Sequence, residues 1–162
     1  MAPPPPVFDA RGVSAPDAVV AIRSLRRRFA EAFDQVEDPA DLTRQAAGAR
    51  SPVDHAVWTA DALAMIATAL RQVLVADHPE VALPSLDPSG ALSKATDSTA
   101  ALAQLGDSAR ALADTMAEVP GNDWSRTGHG PTGEVSALDI VRLGVQIGIE
   151  HLRAAEADVA GH

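Results

Sequence analysis

Histidine is the side chain whose charge changes nearest neutral pH, and this 162-residue chain has five histidines and no cysteine. Two of them lie in helical patterns. His55 shares its helical angle with Ala62, Ile66 and Val73, which turns it inward. His151 falls among Ile140, Gly144 and Ile147 and also faces a core. An inward histidine is either a hydrogen-bonded core residue or a working group: an acid, a base, a proton carrier or a metal ligand. Glu150 stands beside His151, on a polar stripe with Asp139, Arg142, Gln146 and Arg153. That stripe is either the solvated side of the helix or the lining of a polar groove. In a groove, burial would bring the Glu150 carboxyl towards neutrality and fit it for acid–base work. Trp58, one turn after His55, either fills the core or walls a pocket.

The other histidines carry less. His78 precedes Pro79 at an expected helix end, His129 sits in the turn Gly128-His129-Gly130-Pro131, and His162 is terminal. The chain has no Gly-x-Ser-x-Gly elbow, no phosphate-cradling Gly-Lys-Ser/Thr loop and no His-Glu-x-x-His pair.

The elements that position these residues announce themselves at their N-termini. Ser14 to Asp17, Ser51 to Asp54 and Ser136 to Asp139 each place Ser three residues before Asp, the spacing in which Ser caps a first turn and Asp favours the positive helix end. Pro52 suits a first helical position. Apolar residues at intervals of three and four then predict helices over 15–37, 52–77, 91–119 and 137–159, with Gly106 as a possible kink in the third. A loop from Pro79 to Gly90 and a polar connection from Asn122 to Glu134 separate them, and no alternating β pattern competes. The expected architecture is an all-α, antiparallel four-helix bundle over residues 14–162. The Pro-rich stretch 1–13 reads as a flexible arm. Gly144 and Gly148, four apart in the last helix, call for close approach of another helix or of a ligand, because glycine costs up to about 1 kcal/mol there.

Composition removes several function classes. The formal charge of −9 argues against nucleic acid, which needs a basic stripe; the one basic run, Arg26-Arg27-Arg28, lies beside Glu31 and Asp34 and reads as a solvated face. Without cysteine there are no disulfides, thiolate zinc sites or cysteine nucleophiles. No stretch of about 18 apolar residues suggests a membrane span, and the start does not resemble a signal peptide, so a cytoplasmic protein is expected.

Two stretches resemble a known family. Ser51-Pro52-Val53-Asp54-His55-Ala56-Val57-Trp58-Thr59-Ala60-Asp61 is similar to the helix-two opening of the DinB-like superfamily, which includes mycothiol-dependent maleylpyruvate isomerases. Trp124-Ser125-Arg126-Thr127-Gly128, with Glu150-His151-Leu152, resembles segments of actinobacterial members. The resemblance implies a bundle with an interhelical pocket holding a divalent metal, such as zinc or nickel. One histidine of helix two and a pair four residues apart on helix four would hold it. This chain departs from that pattern: the positions fall on Trp58, Gln146 and Glu150, of which only Glu150 suits a metal. A shift of one turn would instead gather His55, Glu150 and His151 as an unusual ligand set.

The expectation is therefore a small-molecule pocket protein without a standard metal site. His55, Glu150 and His151 would be its acid–base residues, Trp58 and Gln146 its walls, and Trp124 and Arg126 would sit at its mouth. The alternatives are a metal-dependent thiol transferase or isomerase and a non-catalytic module that forms a homodimer through an apolar edge.

Overall fold

The computed structural model of the chain describes residues 8–45, 50–86 and 97–161. Four helices dominate: α1 Ala15–Phe33, α2 Pro52–Val75, α3 Ser98–Ala117 and α4 Ala137–Ala160. All three Ser-x-x-Asp sites are helix starts. Ser14, Ser51 and Ser136 each accept the backbone N–H three residues on, and at Ser51 and Ser136 the aspartate returns the bond, closing a capping box. Asp97 caps α3 in the same way. The expected start of that helix at 91–96 lies outside the described residues, as do the end of the Pro79–Gly90 loop, residues 1–7 and His162.

Each helix buries its apolar stripe in one core, which contains Ile22, Leu25, Phe29, Leu63, Ile66, Leu70, Leu105, Leu112, Ile140 and Leu152. The neighbours are α1 with α3 and α4, and α2 with α3 and α4, so α1 faces α2 across the diagonal. Helices α2 and α4 are antiparallel, since His55 near the start of α2 meets His151 and Asp158 near the end of α4. The bundle thus has the expected antiparallel pairs, but α2 and α3 run side by side in the same direction. Asp61 of α2 bonds Gln104 of α3, and Val75 and Val119 at their C-terminal ends wall one groove. Residues 76–86 climb from the C-terminal end of α2 to the Leu86 carbonyl beside His151.

The climb begins on a β-hairpin that the sequence pattern did not predict. Strands β1 Thr127–Gly130 and β2 Gly133–Ser136 are antiparallel, and Glu80 pairs with His129 on the free edge. Three glycines in ten residues hide the alternation that marks a strand, and Gly128 is needed because a side chain there would start 2.8 Å from the Pro79 carbonyl oxygen. α3 is unbroken at Gly106. This glycine makes room for Arg26 of α1, whose Cδ lies 2.7 Å from where a glycine side chain would begin. The Gly144–Gly148 pair is explained by two different helices: Gly144 faces Leu63 and Ile66 of α2, and Gly148 faces Leu25 of α1. Ahead of α1, Ala10–Gly12 forms a 3-10 turn with Ala10 buried, and Arg142 donates to the Val13 carbonyl at 2.8 Å.

Candidate functional site

The α2 capping box fixes where His55 stands, one residue past Asp54 on the first turn. His151 stands near the end of α4, and the antiparallel packing brings the two rings together. Their Nδ1 atoms are 2.9 Å apart and the ring centroids 5.1 Å apart. Both residues are buried. His151 Nε2 lies 2.7 Å from the Leu86 carbonyl oxygen, on the climbing segment. On the other side, His55 Nε2 lies 3.4 Å from Asp158 Oδ2.

These contacts assign the protons. A carbonyl oxygen only accepts, so His151 Nε2 carries a hydrogen and donates it to Leu86. In neutral His151 the Nδ1 atom is then an acceptor, and His55 Nδ1 must donate to it. That leaves the lone pair of His55 Nε2 directed towards Asp158. One further proton fits there, because Nε2–H can then face the carboxylate. A second does not, because two Nδ1–H groups would point at each other. Burial, then the charge of His151, push the His55 imidazole below the ordinary histidine value; Asp158 and Asp54 pull it up and Arg50 pushes it further down. His55 is therefore held as a neutral base whose conjugate acid has a carboxylate waiting for it.

The other expected site residues go elsewhere. Glu150 is half-buried and accepts from Gln146 Nε2 at 3.0 Å, an i,i+4 pair of their own on the flank of α4. Trp58 is half-buried on the turn after His55, with its indole N–H enclosed and lacking an acceptor among the described residues. Trp124 and Arg126 do not rim the histidine pair. Arg126 donates to the Val73 and Ala76 carbonyls at 2.9 and 3.0 Å and closes the C-terminus of α2. That end is about 30 Å from His55 at the usual rise of a helix. Trp124, in the 3-10 turn Gly121–Ser125, packs on the core beside it. Sequence reasoning missed Asp158 and the Leu86 carbonyl. A backbone acceptor has no sequence signature, and Asp158 stands in no motif that would single it out.

The donor set does not fit the metal centre that the resemblance implied. Among the described residues no group of three His, Cys, Asp or Glu side chains could hold an ion. With His151 as the second residue of a helix-four pair, the first position falls on Ile147, which is fully buried and has no donor atom. The 2.9 Å separation is a hydrogen bond, shorter than the roughly 3.3 Å between two nitrogens on one tetrahedral zinc.

Fold and site together define a four-helix bundle with a buried histidine pair at one end. YfiT from Bacillus subtilis, described as a probable metal-dependent hydrolase with an unusual four-helix bundle topology, is similar, with a TM-score of 0.73 and 13% identity over 99% of this chain and 92% of that one. TT2238, a four-helix bundle protein, is similar with a TM-score of 0.68 and 20% identity over 89% of this chain and 99% of that one. At these identities the likeness establishes the fold. No family model and no curated protein matches the sequence. Among the described residues no helix is long and apolar enough to cross a membrane.

Proposed function

We propose that the chain is a small-molecule enzyme in which His55 Nε2 is the general base, assisted by His151 rather than by a complete metal triad. The carrying observation is the Nδ1–Nδ1 hydrogen bond at 2.9 Å, locked in one direction by the Leu86 carbonyl. The logic is that of a catalytic dyad, in which a second group fixes the tautomer of the working imidazole and stabilises its charge. A substrate that displaces Asp158 from His55 Nε2 would give that nitrogen a proton, and the pair would share the added charge across the Nδ1–Nδ1 bond. The half-exposed Asp158 would then act as the gatepost of the site.

Nitrogen NMR of the imidazoles tests the reading. At pH 7.5 His55 should be neutral with its hydrogen on Nδ1, and His151 neutral with its hydrogen on Nε2. The opposite tautomer at His55 would remove the base. A thermal-shift screen of small esters, amides and carboxylic acids should then give hits that His55→Gln abolishes.

A second reading follows YfiT, described as a probable metal-dependent hydrolase, and extends to the thiol transferases and isomerases that the sequence resembles. In that reading His55 and His151 would be the residues that hold zinc or nickel, and the ion would supply Lewis-acid chemistry. Elemental analysis after metal loading separates the two: one tightly held ion per chain supports the second reading, and sub-stoichiometric, chelator-labile metal supports the first.

A further inference from the structure

Away from the histidine pair, a groove of about 320 Å³ runs between α1 and α3, lined by Arg23, Arg26, Gly106, Ala109, Arg110 and Asp114. Three guanidinium groups face one carboxylate there, in a chain whose formal charge is −9. Arginine fixed on opposite walls of a cleft is suited to bidentate recognition of an oxyanion. The charge is only loosely neutralised. Arg23 lies 3.8 Å from Asp114 and Arg110 lies 3.7 Å from Asp107, both too long for hydrogen bonds, and Arg26 has no ion pair among the described residues. Exposed pairs of this kind contribute little and are readily exchanged for a better partner.

Gly106 is the second, independent feature. Glycine in mid-helix costs up to about 1 kcal/mol, and α3 is unbroken there. A Cβ at this position would meet Arg26 Cδ at 2.7 Å and Nε at 3.2 Å. The glycine thus lets the Arg26 stem cross the surface of α3 and carry its guanidinium to the side where Arg110 stands.

We infer that this groove is an anion site that binds phosphate or the phosphoryl group of a small metabolite, with Arg23 and Arg26 of α1 and Arg110 of α3 as its donors. The site is separate from the histidine pair and does not depend on the function proposed for it.

The test is a titration of the full chain with inorganic phosphate and with pyrophosphate at low salt, followed by calorimetry and by NMR of the arginine Nε–H groups. Saturable binding is expected, with shifts concentrated on Arg23, Arg26 and Arg110 and an affinity that falls as salt rises. Arg26→Gln and Arg110→Gln should each weaken binding about tenfold or more, the loss expected for one charge-assisted contact. Gly106→Ala should weaken it by displacing Arg26, and Arg71→Gln on α2 should leave it unchanged. No saturable binding at millimolar pyrophosphate overturns the proposal. So does binding that survives Arg26→Gln, or shifts spread evenly over all the arginines.

Discussion

His55 Nε2 and Asp158 Oδ2 stand 3.4 Å apart, across the junction where the start of α2 meets the end of α4. The imidazole is buried among groups that resist its charge, and the carboxylate is the nearest group that welcomes it. Protonation of His55 is therefore a stability question as well as a chemical one. Its pKa in the folded chain is below the unfolded value, so the unfolded chain takes up the proton more readily. The resulting stability is fully present above the unfolded value near 6.5 and is lost as pH falls through the folded one. The melting temperature should fall as the pH drops below about 6.5, and His55→Gln should flatten that slope. Asp158→Asn should move the midpoint of His55, followed by NMR, to lower pH. A midpoint that rises in Asp158→Asn would contradict the geometry.

The bond between the two rings predicts a coupling that single substitutions cannot reveal. Removing His55 leaves His151 Nδ1 buried without its donor, and removing His151 orphans His55 and the Leu86 carbonyl. An unsatisfied buried group costs about 1–3 kcal/mol. His55→Leu and His151→Leu should each destabilise by that amount, measured by urea unfolding. The double variant should cost less than their sum by about 1 kcal/mol or more, because neither ring is then left without the other. Strict additivity would mean that the rings do not share a proton.

Much of this arrangement was legible in the sequence. The Ser-x-x-Asp signals at Ser14, Ser51 and Ser136 are local chemistry, complete within four residues, and they gave three helix starts to the residue. His55 and His151 could be placed inward because a helical angle needs only the spacing of the apolar residues around it. What failed was non-local. The parallel course of α2 and α3 depends on how far the segment after Val75 travels, and a Pro-rich run reads the same whether it turns back or climbs. The hairpin 127–136 is held by its glycines and by the Glu80–His129 bridge, with too few apolar side chains to show a period of two. Arg126 resembled a pocket residue because its role, capping the far end of α2, involves two carbonyls fifty residues away.

That role can be checked directly. Arg126→Ala removes donors from the Val73 and Ala76 carbonyls, and charged donors of this kind are worth about 1.5–3 kcal/mol. Hydrogen exchange should speed up at the C-terminal turn of α2 while the Nδ1–Nδ1 bond at its other end stays intact. Loss of the His55 tautomer in this variant would show that the two ends are coupled through α2.

The two glycines of α4 offer the sharpest contrast, because the same substitution should have opposite signs one turn apart. At Gly148 a methyl group would begin 2.7 Å from Leu25 Cδ1 and 3.1 Å from Cδ2, and Leu25 is itself enclosed in the core. The leucine cannot withdraw without disturbing α1, so Gly148→Ala should destabilise by about 1–3 kcal/mol despite the better helix propensity of alanine. At Gly144 the nearest atoms, on Leu63 and Ile66, are 3.4–3.5 Å away, which is ordinary contact. Gly144→Ala should be neutral or stabilise by up to about 1 kcal/mol, since the methyl fills its space and alanine orders the helix more cheaply. Thermal and urea unfolding of both variants decides the matter. If Gly148→Ala proved as stable as Gly144→Ala, Leu25 would have to move freely at the α1–α4 contact, and the close packing that brings α4 to its place beside His55 would need another explanation.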